Sequence, residues 1–166
     1  MLYVALEERT EGPAWAGRIG AVLAGVSLAL YGVLQAVDGV GNKQVDQAWM
    51  NATSSQKPTR FASAEAMRWL EWGVSSYHAY AIGLSLILLG SAGFAVRALP
   101  RAVPYLVALT GVVYVAEGWV AGSQGFNGTH STLIIASWLL SLVWMVWLTV
   151  TTWRAPHAAT APSPAH

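Results

Sequence analysis

Long apolar segments alternate with polar ones along the chain and predict four membrane-spanning helices. The segments lie at about residues 15–37, 72–96, 102–121 and 131–153, each close to the roughly 20 residues that cross the hydrocarbon core of a bilayer. We therefore predict an all-α fold, an integral membrane four-helix bundle in which residues 1–155 form a single domain. The Ala- and Pro-rich tail, residues 156–166, is predicted to be disordered.

The polar region between the first two predicted spans contains two different patterns. Residues 39–60 are rich in Gly, Asn, Gln and Ser and include Lys57-Pro58, so we expect a loop with at most a short amphipathic turn. From about Ala62 onward, charged residues (Glu65, Arg68 and Glu71) follow at helical spacing among bulky apolar side chains. This second pattern predicts a short interfacial helix that leads into the second span.

The composition agrees with a membrane protein. Hydrophobic residues make up 55% of the chain and charged residues 10%, less than half of the roughly 25% that is usual in soluble domains. The formal net charge of +1 argues against a nucleic-acid partner and leaves the lipid bilayer as the predicted partner. The absence of cysteine excludes disulfides and thiolate metal ligands.

The distribution of basic residues predicts the orientation. The short connection between the second and third predicted spans carries Arg97 and Arg101 and no acid, whereas residues 122–128, before the fourth span, include no Lys or Arg. Because positive residues concentrate in cytoplasmic loops, we expect both termini to be cytoplasmic in a multi-pass protein of the plasma membrane.

One carboxylate, Glu117, lies inside the third predicted span. Burying a charge in hydrocarbon costs at least about 2.5 kcal/mol on insertion scales, so such a residue usually faces a protein interior or a wet cavity. In the predicted topology further ionisable residues lie in the same outer layer, each on a polar stripe of its own helix. The candidate ligand-binding residues are Asp38, His78, Glu117 and His130, with Tyr31, Gln35 and Tyr114.

This polar layer has three interpretations. Its polar groups can form hydrogen bonds between helices, with Glu117 paired with His78 or placed at the membrane–water interface beside Trp119. They can form a site for Zn, Mn or non-haem Fe with His78, Glu117 and His130 as candidate ligands, or hold haem between the two histidines, although no diagnostic ligand motif is present. They can also bind a proton or an ion. The sequence requires no cofactor.

Small residues recur at every fourth position of the first predicted span, at Gly17, Ala21, Gly25 and Ala29. Such a face allows another helix to approach closely. We expect this face to contact a neighbouring helix, a second copy of the chain or a partner membrane protein.

Three segments combine a Leu run that contains Gly, a Pro-Arg turn and a Gly-x-x-Tyr helix: residues 80–90, 99–101 and 109–114. They resemble an uncharacterised bacterial family of small multi-pass membrane proteins, and the resemblance implies the helical membrane architecture only. No G-x-S-x-G motif, P-loop or dinucleotide-binding fingerprint is present. The sequence therefore predicts a non-catalytic membrane component or partner subunit. The alternative is a ligand-, metal- or proton-binding protein, for transport or redox chemistry, that uses the outer polar pocket.

Overall fold

The computed structural model describes residues 14–95 and 99–154. The predicted disordered tail and Arg97 of the basic turn lie outside these residues. All regular structure in the described part is helical, which confirms the all-α prediction. The elements are α1 (Ala14–Ala36), a π-helical segment (Val37–Asn42), α2 (Lys43–Met50), α3 (Lys57–Gly93), α4 (Ala102–Gln124) and α5 (Gly128–Arg154).

Within residues 14–95 and 99–154, four helical stretches are long and apolar enough to cross a membrane, as predicted, and they suggest a membrane protein. They are Trp15–Met50, Lys57–Gly93, Ala102–Gln124 and Gly128–Thr151. The first two are much longer than the roughly 20 residues that cross the hydrocarbon core. At 1.5 Å per residue, the 37 residues of α3 extend for about 55 Å. Each of these two stretches is therefore longer than a bilayer core is thick.

Two predictions for the region between the first two spans are wrong. Most of the predicted loop is helical, because the π-helical segment and α2 continue α1 without a break to Met50. The predicted short interfacial helix is the first part of α3 rather than a separate element. Pro58 lies in the first turn of α3, where the missing N–H of proline removes no helical hydrogen bond. The Lys57-Pro58 pair therefore starts a helix instead of interrupting one.

The long helices pack on one another in chain order, with α3 between α1 and α4, and α4 between α3 and α5. Among the described residues, no Cα atom of α1 comes within 8 Å of one in α4 or α5. The most apolar windows of the stretches that contain α1 and α5 are accordingly only 11% and 6% buried, against 50% for α3 and 44% for α4. The described residues form an open four-helix bundle in which each of the two end helices packs on one other long helix.

The central pair, α3 and α4, is in contact through glycines. A Cβ atom on Gly83 would lie 2.7 Å from the main-chain oxygen of Gly111, and one on Gly111 would lie 2.5 Å from the main-chain oxygen of Gly83. The same holds at Gly90, where a Cβ atom would lie 2.8 Å from the nitrogen of Ala108. Since no side chain fits at these positions, the two helices approach to main-chain contact.

The small-residue face predicted for the first span is only partly covered within the chain, because Gly17 is buried whereas Gly25 and Ala29 are exposed. Helix α3 contacts α1 at Gly20, whose main-chain oxygen accepts a 2.7 Å hydrogen bond from Ser85 Oγ. A Cβ atom on Gly17 or Gly25 would meet no described atom within 4 Å. The helical turn places Gly25 about 140° around the axis from Gly20, so the contact with α3 leaves that side open.

Candidate functional site

Glu117 lies on the side of α4 that faces α5, with two polar partners. Ser137 Oγ donates a 3.3 Å hydrogen bond to Glu117 Oε2, and His130 Nε2 lies 4.0 Å from Glu117 Oε1. Glu117 is 6% exposed and His130 is 4% exposed, so both ionisable groups are enclosed between the two helices. Ser137 is fully buried beside them. We call these three residues the α4/α5 cluster.

The start of α5 fixes the position of His130. Asn127 precedes the helix, and its Oδ1 accepts a 2.9 Å hydrogen bond from the main-chain N–H of His130. This is the capping interaction that an Asn side chain provides at a helix N-terminus. Ser137 follows His130 by seven residues, or about two helical turns, so both side chains lie on the face of α5 that contacts α4.

The turn between α4 and α5 closes over this cluster. Gly125 has a φ of 69°, a conformation that favours glycine, and a Cβ atom there would lie 2.7 Å from the Trp72 ring. The next residue, Phe126, stacks on the His130 imidazole with ring centroids 4.6 Å apart and planes 12° apart. The Trp72 ring of α3 is tilted against that of Phe126, at 6.3 Å between centroids. Phe126 therefore covers one face of the His130 imidazole, and Trp72 supports Phe126.

His78 belongs to a separate group of residues on the opposite side of the bundle. Its Nδ1 lies 3.0 Å from both Oγ and the main-chain oxygen of Ser27 on α1, and its ring lies 5.4 Å from that of Tyr31. We call His78, Ser27 and Tyr31 the α1/α3 cluster. The pairing of Glu117 with His78 that the sequence suggested is therefore not formed, and Glu117 contacts His130 and Ser137 instead.

The two clusters nevertheless lie at the same height. A Cβ atom on Gly118 would lie 3.0 Å from the main-chain oxygen of Ser76 and 3.2 Å from Ala79 Cβ, which places Glu117 level with His78. The glycine contact of α3 with α4 lies between them. Within the central pair of α3 and α4, His78 therefore lies on the side of α3 that faces α1, and Glu117 lies on the side of α4 that faces α5.

Comparisons with protein-family models, with curated proteins and with solved structures find no match to this chain.

The remaining predicted residues lie outside the two clusters or at their edges. Asp38 and Gln35 are exposed on the π-helical segment and α1. Tyr114 is half-buried and packs against the apolar cluster of Leu86, Val103 and Val107. In residues 14–95 and 99–154, no group of three or more His, Asp or Glu side chains could hold a metal ion. The three metal-ligand candidates are divided in the same way, with His78 apart from Glu117 and His130.

A second carboxylate, Glu71, is buried, although its sequence position did not predict this. This residue is 4% exposed and accepts hydrogen bonds from Asn42 Nδ2 at 2.6 Å and from Arg68 Nη1 at 2.8 Å. The spacing of Arg68 and Glu71 correctly indicates that they can pair, but it gives no sign that Asn42 covers them. The only signal of burial was that Glu71 lies between Leu70 and Trp72 at the start of the predicted second span.

Proposed function

We propose that the chain is a small, non-catalytic multi-pass protein of a bacterial plasma membrane, with both termini in the cytoplasm, and that Glu117 and His130 together bind a proton. One observation carries the proposal. Glu117 Oε1 and His130 Nε2 face each other at 4.0 Å, buried between two candidate membrane-spanning helices. Ionisable residues inside membrane spans are costly and commonly serve proton relays or ion pathways.

The surroundings of Glu117 favour a proton over a larger ligand. Both ionisable side chains are less than a tenth exposed, and Phe126 covers one face of the imidazole. A solute would have to displace these side chains, whereas a proton needs no cavity. His130 Nε2 is buried and has no hydrogen-bond partner among the described residues, so it is available to donate or to accept.

Ser137 can accept a hydrogen bond from a protonated Glu117. Its hydroxyl has two acceptors within reach, the main-chain oxygen of Ile134 at 2.8 Å and Glu117 Oε2 at 3.3 Å, and its single hydrogen can serve either of them. A hydroxyl has one donor and two acceptor lone pairs. A protonated Glu117 can therefore donate to Ser137 Oγ while Ser137 keeps its bond to Ile134, and both the neutral and the ionised carboxyl have a partner.

The titratable groups that face this region can be separated by spectroscopy. From α5 the group is His130, and from α3 it is Tyr80, whose ring lies 3.4 Å from the position of a Cβ atom on Gly118. In nanodiscs, infrared difference spectra between acidic and alkaline pH report carboxyl protonation. We expect one carboxyl band to be lost in Glu117→Gln, shifted in His130→Gln and unchanged in His78→Gln. A Glu117 band that does not respond to pH, or is unaffected by His130→Gln, would overturn the proposal.

A second candidate function is that of a partner subunit, or of a self-associating component, that contacts its neighbour through α1. The observation that favours it is that Gly25 and Ala29 are exposed on a helix whose most apolar window is only 11% buried. Gly25→Leu should then reduce the mass of the particle measured in detergent by light scattering. Leu34→Ala, a half-buried position of the same helix, serves as the control and should leave that mass unchanged. Equal masses for the wild type and Gly25→Leu would contradict this candidate function and would mean that the exposed face of α1 contacts lipid.

A further inference from the structure

An open cleft of about 340 Å³ lies between α2 and the first part of α3. Its volume is at the lower end of the range for small-molecule sites, about 300–1,000 Å³. Four of its lining residues are Phe61, Glu65, Arg68 and Trp72, which follow at helical spacing and share one face of α3. Asp46 of α2 and Trp69 complete the polar and aromatic lining.

The acidic side chains of the cleft lack a basic partner. Asp46 and Glu65 are exposed, and neither forms an ion pair with a described residue. Arg68, the basic residue of the lining, is bound to Glu71 at 2.8 Å, so its charge is already compensated. The cleft therefore presents two uncompensated carboxylates to whatever enters it.

Aromatic rings form much of the remaining wall. Phe61 is 54% exposed and Trp69 is 57% exposed, so their rings are accessible to a ligand. Aromatic faces attract cations, and quaternary ammonium ligands are often recognised by several aromatic rings together. The same helical hairpin already contains one such contact, since Lys57 Nζ lies 5.5 Å from the centroid of the Trp49 ring.

We propose that this cleft binds a small organic cation with an ammonium group, which the rings of Phe61 and Trp69 contact while Asp46 and Glu65 balance its charge. The site is distinct from the α4/α5 cluster and does not depend on proton binding there. The same ammonium chemistry is offered by a free amine or by a lipid headgroup such as choline, because residue 72 is where the second predicted span begins.

The test compares choline with its uncharged analogue, in which carbon replaces the ammonium nitrogen, by calorimetric titration of the full chain in phosphatidylglycerol nanodiscs. We expect choline to bind and the analogue to bind at least about ten-fold more weakly. Glu65→Gln and Trp69→Leu should each weaken choline binding by about five-fold. Asp38→Asn removes an exposed carboxylate outside the cleft and should leave the affinity unchanged.

Glu65→Gln and Trp69→Leu change exposed side chains, so the helicity of each variant measured by circular dichroism should match that of the wild type. Equal binding of choline and its analogue, or full affinity in both variants, would overturn the proposal.

A second arm in phosphatidylcholine nanodiscs distinguishes a lipid headgroup from a free amine as the source of the cation. Weaker choline binding there would assign the resident cation to the lipid headgroup, and unchanged binding would assign it to a free amine.

Discussion

Glu117→Gln and His130→Gln, made singly and together, measure how strongly the α4/α5 cluster joins its two helices. Two unit charges 4 Å apart attract by about 4 kcal/mol at an effective dielectric constant of 20. This is an upper limit here, because His130 Nε2 forms no hydrogen bond in the described structure. Polar contacts between membrane helices average about 0.6 kcal/mol and reach about 1.7 kcal/mol. We therefore expect a coupling free energy of about 1 kcal/mol, with the double variant losing less than the sum of the single losses.

The free energy of unfolding is measured by denaturant titration in detergent micelles for each single and double variant. His78→Gln is the matched control, because His78 lies level with Glu117 but contacts Ser27 on α1. Independent sites add within about 0.5 kcal/mol, so the combination of Glu117→Gln with His78→Gln should be additive. Additivity of Glu117→Gln with His130→Gln would refute the inference that this pair connects α4 to α5. If Glu117→Gln instead couples to His78→Gln, the partner of Glu117 is His78 on α3 and not His130 on α5.

Three further predictions concern the glycine contact between α3 and α4, the buried carboxylate of Glu71, and the orientation of the chain. Gly111→Ala should lower the free energy of unfolding by about 1–3 kcal/mol, because the new Cβ atom would lie 2.5 Å from the main-chain oxygen of Gly83. Gly25→Ala, which has open space around it, should be neutral or slightly stabilising. Equal losses for the two variants in a denaturant titration would contradict this prediction. Glu71→Gln should cost about 1–3 kcal/mol in the same assay, since it weakens two hydrogen bonds to a buried carboxylate, and an unchanged midpoint would show that the bonds contribute nothing. On intact cells, an impermeant thiol reagent should label Ser123→Cys but not Ala98→Cys; the reverse pattern would mean the opposite orientation.

The hydrophobic pattern predicts the four long helices but not the helical continuation of the first. Gly39 and Gly41 are poor helix formers, so local preference favours a loop there. The structure instead packs this segment on α3. Met67 Sδ lies 3.0 Å from the position of a Cβ atom on Gly41, and Asn42 donates to Glu71. These contacts join residues far apart in the sequence, and a local pattern contains no information about them.

For the candidate site, helical spacing predicts which residues share a face and roughly how deep they lie, but not which neighbour that face meets. His78 and Glu117 lie at one height, yet each contacts a different helix. Glycines account for this separation, because they bring α3 and α4 into contact through faces that carry neither His78 nor Glu117. The partner of Glu117 could have been narrowed down from the sequence, since His130 and Ser137 are two turns apart on the helix that follows directly.

The glycine contact between α3 and α4 also has an evolutionary consequence. A relative of this chain that has exchanged Glu117 for another residue can keep the same fold, whereas one with a bulkier residue at Gly111 must move two helices apart. We therefore expect substitutions to be tolerated least at glycines that are seven residues apart within each helix, Gly83 with Gly90 and Gly111 with Gly118. Distant homologues are expected to retain this spacing even where their polar residues, and with them their functions, have diverged.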